Sequence, residues 1–286
     1  MKIFVINLKR SVDRKMHMMN QLSHLDIDYE FVEAVDGQEL SNHEINTKYG
    51  IETFPPWPSF NVRNLSMGEI GCLLSHLQIY RKMINENIEY ACIFEDDNDF
   101  KPDLKILLKN YLLANLFDWE LLLLGHSGRY NDSNVGSECS SKRVHLFSHY
   151  HIAKPIEAPF QTFAYIIKKS AAIKLLQHAY PLRMPIDCLT GHSTAVGVQL
   201  YVLTPPCTTH NETLFKTTIY DRDQNSQLYL NKMSRIKRTL GEKYPILRIL
   251  QKICLASYWI PILKLRKFSL LEDSYADKKL FLKKIK

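Results

Sequence analysis

Nowhere in its 286 residues does the chain carry a C-x-x-C pair, a glycine-rich phosphate loop of the Walker type, or a run of roughly 18 to 20 uncharged apolar residues. Each absence removes a class. Without paired cysteines, the six that are present (Cys72, Cys92, Cys139, Cys188, Cys207 and Cys254) are scattered singly, three of them in apolar runs, which suits a reducing cytosol. Without a Walker loop, phosphoryl transfer by the P-loop route is disfavoured. Without a long apolar run, no spanning helix is expected. The opening segment Met1-Lys2-Ile3-Phe4-Val5-Ile6-Asn7 is too short in its apolar part for an export signal, and Lys9, Arg10, Asp13 and Arg14 follow at once. A cytoplasmic location is therefore expected. There is also no internal repeat, no low-complexity tract, and no helix-turn-helix or aromatic–basic strand pattern, so nucleic acid is not an expected partner.

What the chain does have is an ordinary globular composition, 45% hydrophobic, enough to bury a substantial core in one large or two modest domains. Its net charge of +7 is unevenly placed. From Lys232 to Lys286 there are fifteen Lys and Arg against four Asp and Glu, so residues 1–231 are net acidic. In that tail Ile246, Leu247, Ile249, Leu250, Ile253, Leu255, Tyr258, Trp259 and Ile260 alternate with Arg248, Lys252, Lys264, Arg266 and Lys267. A basic amphipathic helix bearing Tyr and Trp suits an anionic membrane surface; a helix packed on the core with its cations in water is the alternative. The domains expected are a catalytic body over 1–231 and a basic helical tail over 232–286.

The pattern along the body alternates strand and helix. Ile3 to Leu8 reads as a buried strand, and Ser11 to Leu25 as a helix facing the core through Met16, Met19, Leu22 and Leu25. Tyr29 to Val35 is a second strand closed by an Asp36-Gly37 turn. The Pro55-Pro56-Trp57-Pro58 cluster forbids regular structure and reads as a loop or flap. Ser66 and Glu69 form a capping-box pattern ahead of a helix through Leu73, Leu77, Tyr80 and Ile84. Leu121 to Leu124 and Phe163 to Ile167 are further strands, the second followed by a helix from Ser170. Runs apolar on both faces and separated by helices predict an α/β fold with a mostly parallel, helix-flanked sheet, whose ligands bind at the carboxyl ends of the strands. One such end stands out. Ala91-Cys92-Ile93-Phe94 stops at Glu95-Asp96-Asp97, three consecutive carboxylates that repel one another unless a cation or a solvated loop relieves them.

Five segments in register resemble glycosyltransferase family 25, which includes bacterial lipopolysaccharide and lipooligosaccharide galactosyl- and glucosyltransferases. They are Val5-Ile6-Asn7-Leu8-Lys9-Arg10-Ser11 with Arg14; Ala34-Val35-Asp36-Gly37; Leu65 to Cys72 with Ser75-His76; Ile93-Phe94-Glu95-Asp96-Asp97; and, more loosely, Thr162-Phe163-Ala164-Tyr165 with Pro185-Ile186-Asp187. The similarity runs from residue 1 to about 190 and fades after Pro205-Pro206.

That resemblance implies a GT-A type, Rossmann-like fold, a UDP-sugar donor, Mn²⁺ or Mg²⁺, and inversion at the anomeric carbon. It makes Glu95-Asp96-Asp97 a D-x-D-like element in which Asp97 binds metal directly and Glu95 or Asp96 contacts ribose or coordinated water; hard cations prefer such oxygen ligands. His210 is a candidate to complete the metal site. Asn7, Arg10 and Arg14, at the end of the first strand and the start of the helix, can offer donors to a nucleotide, or lie on a solvated basic edge. Asp36 can accept from uracil or ribose, or simply close its turn. Glu69 and His76, two helical turns apart on one face, are read as a buried network supporting the donor site or as direct donor contacts. His126 is a candidate sugar or acceptor contact. Inversion needs a base, and Asp187 is the choice, with an N-cap as its alternative role.

The expectation is an inverting, metal-dependent transferase moving galactose or glucose from a UDP-sugar to a lipid-anchored glycan, peripheral on the inner face of the membrane. Two other classes stay open: a catalytically silent membrane-surface protein that keeps the fold, and a carboxylate-pair glycoside hydrolase.

Overall fold

The computed structural model describes residues 1–25, 27–51, 65–110, 118–128, 135–211 and 214–215. All of these belong to one compact unit, formed by Met1–Pro55 and Val62–Arg222. The Pro-rich cluster after Phe54 and the basic tail lie outside the described residues, as does the expected domain boundary at 231.

The chain opens with β1 (Lys2–Asn7), α1 (Val12–Ser23) and β2 (Glu30–Glu33), then α2 (Asn42–Lys48) and the long α3 (Met67–Asn85). Next come β3 (Tyr90–Glu95), β4 (Asn98–Phe100), α4 (Leu104–Asn110) and β5 (Leu121–Ser127). A hairpin of β6 (Cys139–Phe147) and β7 (Tyr150–Pro155) leads to β8 (Phe160–Lys168), α5 (Lys169–His178) and α6 (Ile186–Gly191). The last strands are β9 (Leu200–Thr204) and β10 (Thr208–His210).

Eight strands form one sheet in the order β2-β1-β3-β8-β5-β9-β7-β6. The expected parallel pairing is present in β2-β1-β3 and in β5-β9, with β8 running antiparallel between β3 and β5. Strand alternation divides the core between the two faces. Phe4, Ile6 and Ile93 point to the side where Leu73, Leu77 and Tyr80 of α3 and Leu175 of α5 pack. Ile3, Val5, Cys92 and Phe94 point to the side covered by Met18 and Leu22 of α1 and Leu104 and Leu107 of α4. Both faces are therefore sealed, which is why these strands read as unbroken apolar runs.

One expectation for α1 is corrected. Its core face is Arg14, Met18 and Leu22, while Met16 and Met19 are 59% and 39% exposed. The stripe was displaced because the buried residue that opens it is a charged arginine, which a hydrophobic pattern reads as solvent-facing.

Two glycines bring the end of β2 against α3. A Cβ on Gly71 would lie 2.6 Å from Val35 O, and one on Gly37 would strike the Met67 carbonyl at 1.9 Å. Only bare backbone allows this approach. Ser75 completes the join: its hydroxyl donates to Gly71 O at 2.7 Å and accepts the Val35 N–H at 2.9 Å. The motif Gly71-Cys72 with Ser75-His76 is thus partly a docking surface that fixes where α3 meets the sheet.

Candidate functional site

The carboxyl ends of β1 and β3 lie side by side, paired through Ile6 and Glu95, and the side chains that gather there come from distant parts of the chain. Asp96, 7% exposed, is held by two donors: Asn7 Nδ2 at 2.7 Å from Oδ2 and Arg14 Nη1 at 2.8 Å from Oδ1. Asn7 also donates to Ser11 O at 3.0 Å, which ties the β1–α1 turn to the acidic cluster. Arg14 reaches further and donates to Asp97 Oδ2 at 2.9 Å. Arg14 is buried, and its guanidinium lies under the Phe215 ring, 5.4 Å from the centroid. In the structure its guanidinium pairs with protein carboxylates inside the fold.

Asp97 meets one more partner. The short antiparallel pair β4–β10 sets His210 opposite Asn98 and places His210 Nε2 3.1 Å from Asp97 Oδ2. Asn98, fully buried, donates to Glu95 O at 2.8 Å and Phe163 O at 2.6 Å, locking the turn that carries the acids. Two of the residues expected at a metal, 113 positions apart, are thereby brought together.

Burial and mutual repulsion act on the three consecutive carboxyls, and each is affected differently. Glu95, with a side chain 27% exposed, is pushed well above the usual range, first by desolvation and then by Asp97. Asp96 is raised by burial and by Asp97, against the opposing pull of Arg14 and Asn7. Asp97 resists its burial and ends below the usual range because His210 and Arg14 hold its anion. Its second oxygen, Oδ1, is buried and has no hydrogen-bond partner among the described residues. An unsatisfied carboxylate oxygen costs about 1–3 kcal/mol or more, and an oxygen of this kind suits a hard divalent cation. The residues present fit Mn²⁺ or Mg²⁺: Asp97 as ligand, with Glu95 and His210 beside it.

Arg10 and Asp36 form an ion pair with each other, and Asp36 also accepts from Gln38 N–H at 3.0 Å, capping a 3-10 turn. Of its two readings, a contact to uracil or ribose and turn closure, the bonds among the described residues make the second. Glu69 and Ser66 make a full capping box on α3. His76, fully buried, lies 3.2 Å through Nε2 from Glu95 Oε1 and 2.7 Å through Nδ1 from Tyr165 Oη, so it supports Glu95. Asp187 is the second residue of α6, whose N-cap is Pro185, so its alternative N-cap role is corrected; its Oδ1 accepts from Cys188 N–H at 2.9 Å. Its negative charge is among those that raise Glu95 and Cys72, which puts it in the same neighbourhood. α6 is pinned to β8 by the Thr162–Thr190 hydroxyl pair at 2.6 Å.

His126 lies near the end of β5. It is fully enclosed; Nε2 donates to Leu203 O at 2.9 Å, and Nδ1 accepts the Ser137 N–H at 3.0 Å. Both nitrogens are spent on the fold, so His126 is a cross-brace. Burial depresses it from 6.5 to about 4. Because the folded value lies below the unfolded one, stability is full above about pH 6.5 and is lost as pH falls toward 4, by at most about 3 kcal/mol from this group. His76, pushed down to about 3 by burial, acts in the same direction. Denaturant midpoints measured between about pH 7 and pH 4 should fall, and His126→Gln should shallow that slope without abolishing it.

Sequence reasoning assigned no role to Asn98, Tyr165 or Thr162. The last two lie in the Thr162 to Tyr165 segment, so a signal for them was present.

A sheet delivering clustered carboxylates, a buried guanidinium and an unsatisfied carboxylate oxygen to one strand end defines the candidate site of an α/β protein. The sequence model described as "Glycosyltransferase family 25 (LPS biosynthesis protein)" matches residues 1–190, and the chain belongs to that family. It is 32% identical over 194 residues to human procollagen galactosyltransferase 2, covering 65% of this chain and 29% of that protein. Over 193 residues it is 30% identical to a bovine protein named "Probable inactive glycosyltransferase 25 family member 3", covering 65% of this chain and 30% of that one. The chain thus spans less than a third of the curated relatives it matches. Among solved structures, a Drosophila galactosyltransferase 7 in complex with manganese, UDP-Gal and xylobiose aligns over 80% of this chain and 78% of that one at 9% identity and a TM-score of 0.35, too distant to carry weight.

Proposed function

We propose that the protein is an inverting, metal-dependent glycosyltransferase that moves galactose or glucose from a UDP-sugar to a hydroxyl of a lipid-anchored, lipooligosaccharide-type glycan. The observation that carries this reading is Asp97, whose Oδ1 is buried without a hydrogen-bond partner among the described residues while Oδ2 is held by Arg14 and His210. When bound, Mn²⁺ or Mg²⁺ supplies Lewis-acid stabilisation of the charge that develops on departing UDP. The chain's own residues do the rest. Arg14 and Asn7 hold the Asp96 carboxyl in place, which ties the β3–β4 turn to β1 and α1. His76, backed by Tyr165, orients Glu95. Asp187, partly exposed in the first turn of α6, is the residue assigned to take the proton of the attacking hydroxyl, a role that its exposure and its nearness to Glu95 and Cys72 support.

The test is calorimetric binding of UDP-Gal, UDP-Glc, UDP-GlcNAc, GDP-Man and CMP-sialic acid with Mn²⁺ and with chelator, followed by transfer assays on lipooligosaccharide. Metal-dependent binding of one UDP-hexose is expected. Asp187→Asn should then lower kcat about 10²- to 10⁴-fold while leaving donor affinity within a few-fold. Sugar release insensitive to chelator would point to a hydrolase, and no donor binding under any condition would favour a silent relative such as the bovine protein's name describes.

The tail gives the proposed location. Its fifteen cations interleaved with Tyr258, Trp259 and aliphatic residues suit the anionic inner face of a membrane. Among the described residues no helix is long and apolar enough to cross a membrane. Co-sedimentation with phosphatidylserine vesicles should be strong for the full chain, fall with added salt, and drop at least about tenfold for a chain ending at residue 231. Equal sedimentation of the two would refute a membrane role for the tail.

A further inference from the structure

Glu95 also faces a second set of ligand atoms. Cys72 and His76 stand four residues apart on α3 and so share a face of the helix. Cys72 Sγ, a ring nitrogen of His76 and a Glu95 carboxylate oxygen all lie within 4.8 Å of one another. The distance from His76 Nε2 to Glu95 Oε1 is 3.2 Å. With metal–nitrogen and metal–oxygen bonds of about 2.0–2.2 Å, two ligands at the tetrahedral angle are roughly 3.3–3.5 Å apart, so this pair stands a few tenths of an ångström or less short of the edge of a tetrahedral site. A plain hydrogen bond explains that distance, but not a thiol arriving as the third corner.

The surroundings favour a cation there. His76 Nδ1 is 2.7 Å from Tyr165 Oη, which is 2.9 Å from Tyr80 Oη. With the proton on Nδ1, His76 donates to Tyr165, Tyr165 donates to Tyr80, and the Nε2 lone pair is released toward Glu95 and Cys72. Ligating histidines are usually backed in this way. Glu95, Asp187, Asp97 and Glu69 all act electrostatically on Cys72, so the thiol sits in a field that attracts positive charge. Cys72 is half-buried and Glu95 is 27% exposed, which leaves a path from solvent.

We propose that Cys72, His76 and Glu95 form a binding site for a thiophilic divalent cation of the zinc class, distinct from the Asp97–His210 site and sharing Glu95 with it. Binding transfers the Cys72 thiol proton to solvent and leaves the fourth position to water. Thiolate and imidazole select this class of ion, whereas the oxygen-rich neighbourhood of Asp97 selects Mn²⁺ or Mg²⁺.

The experiment uses the full chain, stripped of metal and then held in excess Mn²⁺, with Co²⁺ titrated as a spectroscopic stand-in for Zn²⁺. One equivalent of Co²⁺ should produce a near-ultraviolet thiolate-to-cobalt charge-transfer band, and Zn²⁺ should displace it. The band should vanish in Cys72→Ser, persist in Asp97→Asn, and need at least about tenfold more Co²⁺ in Tyr165→Phe. No band in the wild type, or a band unchanged in Cys72→Ser, would overturn the site; a band lost in Asp97→Asn would show one site instead of two. Because the readout is metal binding, its failure leaves the proposed transferase activity standing, and a protein without transferase activity can still show the band.

Discussion

Asp97→Asn is expected to abolish metal-dependent donor binding and to lower kcat/KM by roughly 10² to 10⁴. The estimate follows from the several kcal/mol that Lewis-acid stabilisation of a leaving group contributes, at 1.36 kcal/mol per tenfold. Replacing the carboxylate with a carboxamide keeps the shape and keeps an oxygen to accept from Arg14 and His210, while removing the anion that a hard cation requires. The fold should survive, because Asp96 remains paired with Arg14 and Asn7. Calorimetry of UDP-sugar with and without Mn²⁺, run beside thermal unfolding, checks both statements. Retention of metal-dependent affinity by a folded Asp97→Asn protein would remove Asp97 from the metal site.

Arg14→Ala should have the largest effect on stability, about 3–5 kcal/mol, which for a body of this size is a fall in Tm on the order of 10 °C. The reason is what it leaves behind. Asp96 and Asp97 are each 7% exposed, and without the guanidinium Asp96 keeps only Asn7 and Asp97 only His210 among the partners described. An uncompensated buried charge costs more than the pair it came from was worth. Added Mn²⁺ should recover part of the loss, since a ligand that binds the folded state stabilises it by mass action. Thermal melts of wild type and Arg14→Ala with metal and with chelator test this. A metal-free Tm within about 2 °C of wild type would mean that the cluster does not depend on Arg14.

The two predictions concern residues whose roles were legible to different degrees. The acidic run was visible because a buried strand ending in three carboxylates is electrostatically improbable without a purpose. Arg14 was visible as a residue but not in its role, since its partners lie 82 and 83 positions away. The same misreading displaced the core face of α1 onto Met16 and Met19. The hairpin of β6 and β7 escaped notice for another reason. β6 is an edge strand with five consecutive exposed residues, so it carries no apolar periodicity to detect. β10 is three residues long and exists only through its pairing with β4. His126 looked like a strand-end ligand because it follows an apolar run and a glycine. Ser137 and Leu203 close over it from segments that no local pattern connects.

The amino-acid sequence alone determined the α/β class, the positions of β1, β3, β5 and β8, the capping box on α3, the family resemblance and the location of the acidic cluster. These follow from local chemistry: continuous burial writes itself as apolar runs, caps as fixed spacings, and charge crowding as adjacent carboxylates. Tertiary structure alone decided which acid is restrained and which is left with an unsatisfied oxygen. It did so by bringing Asn7, Arg14 and His210 onto the end of β3 and by carrying His76 to the other side of Glu95's hydrogen-bonding reach. Electrostatic fate depends on distance in space and on desolvation, and neither is a property of position along the chain.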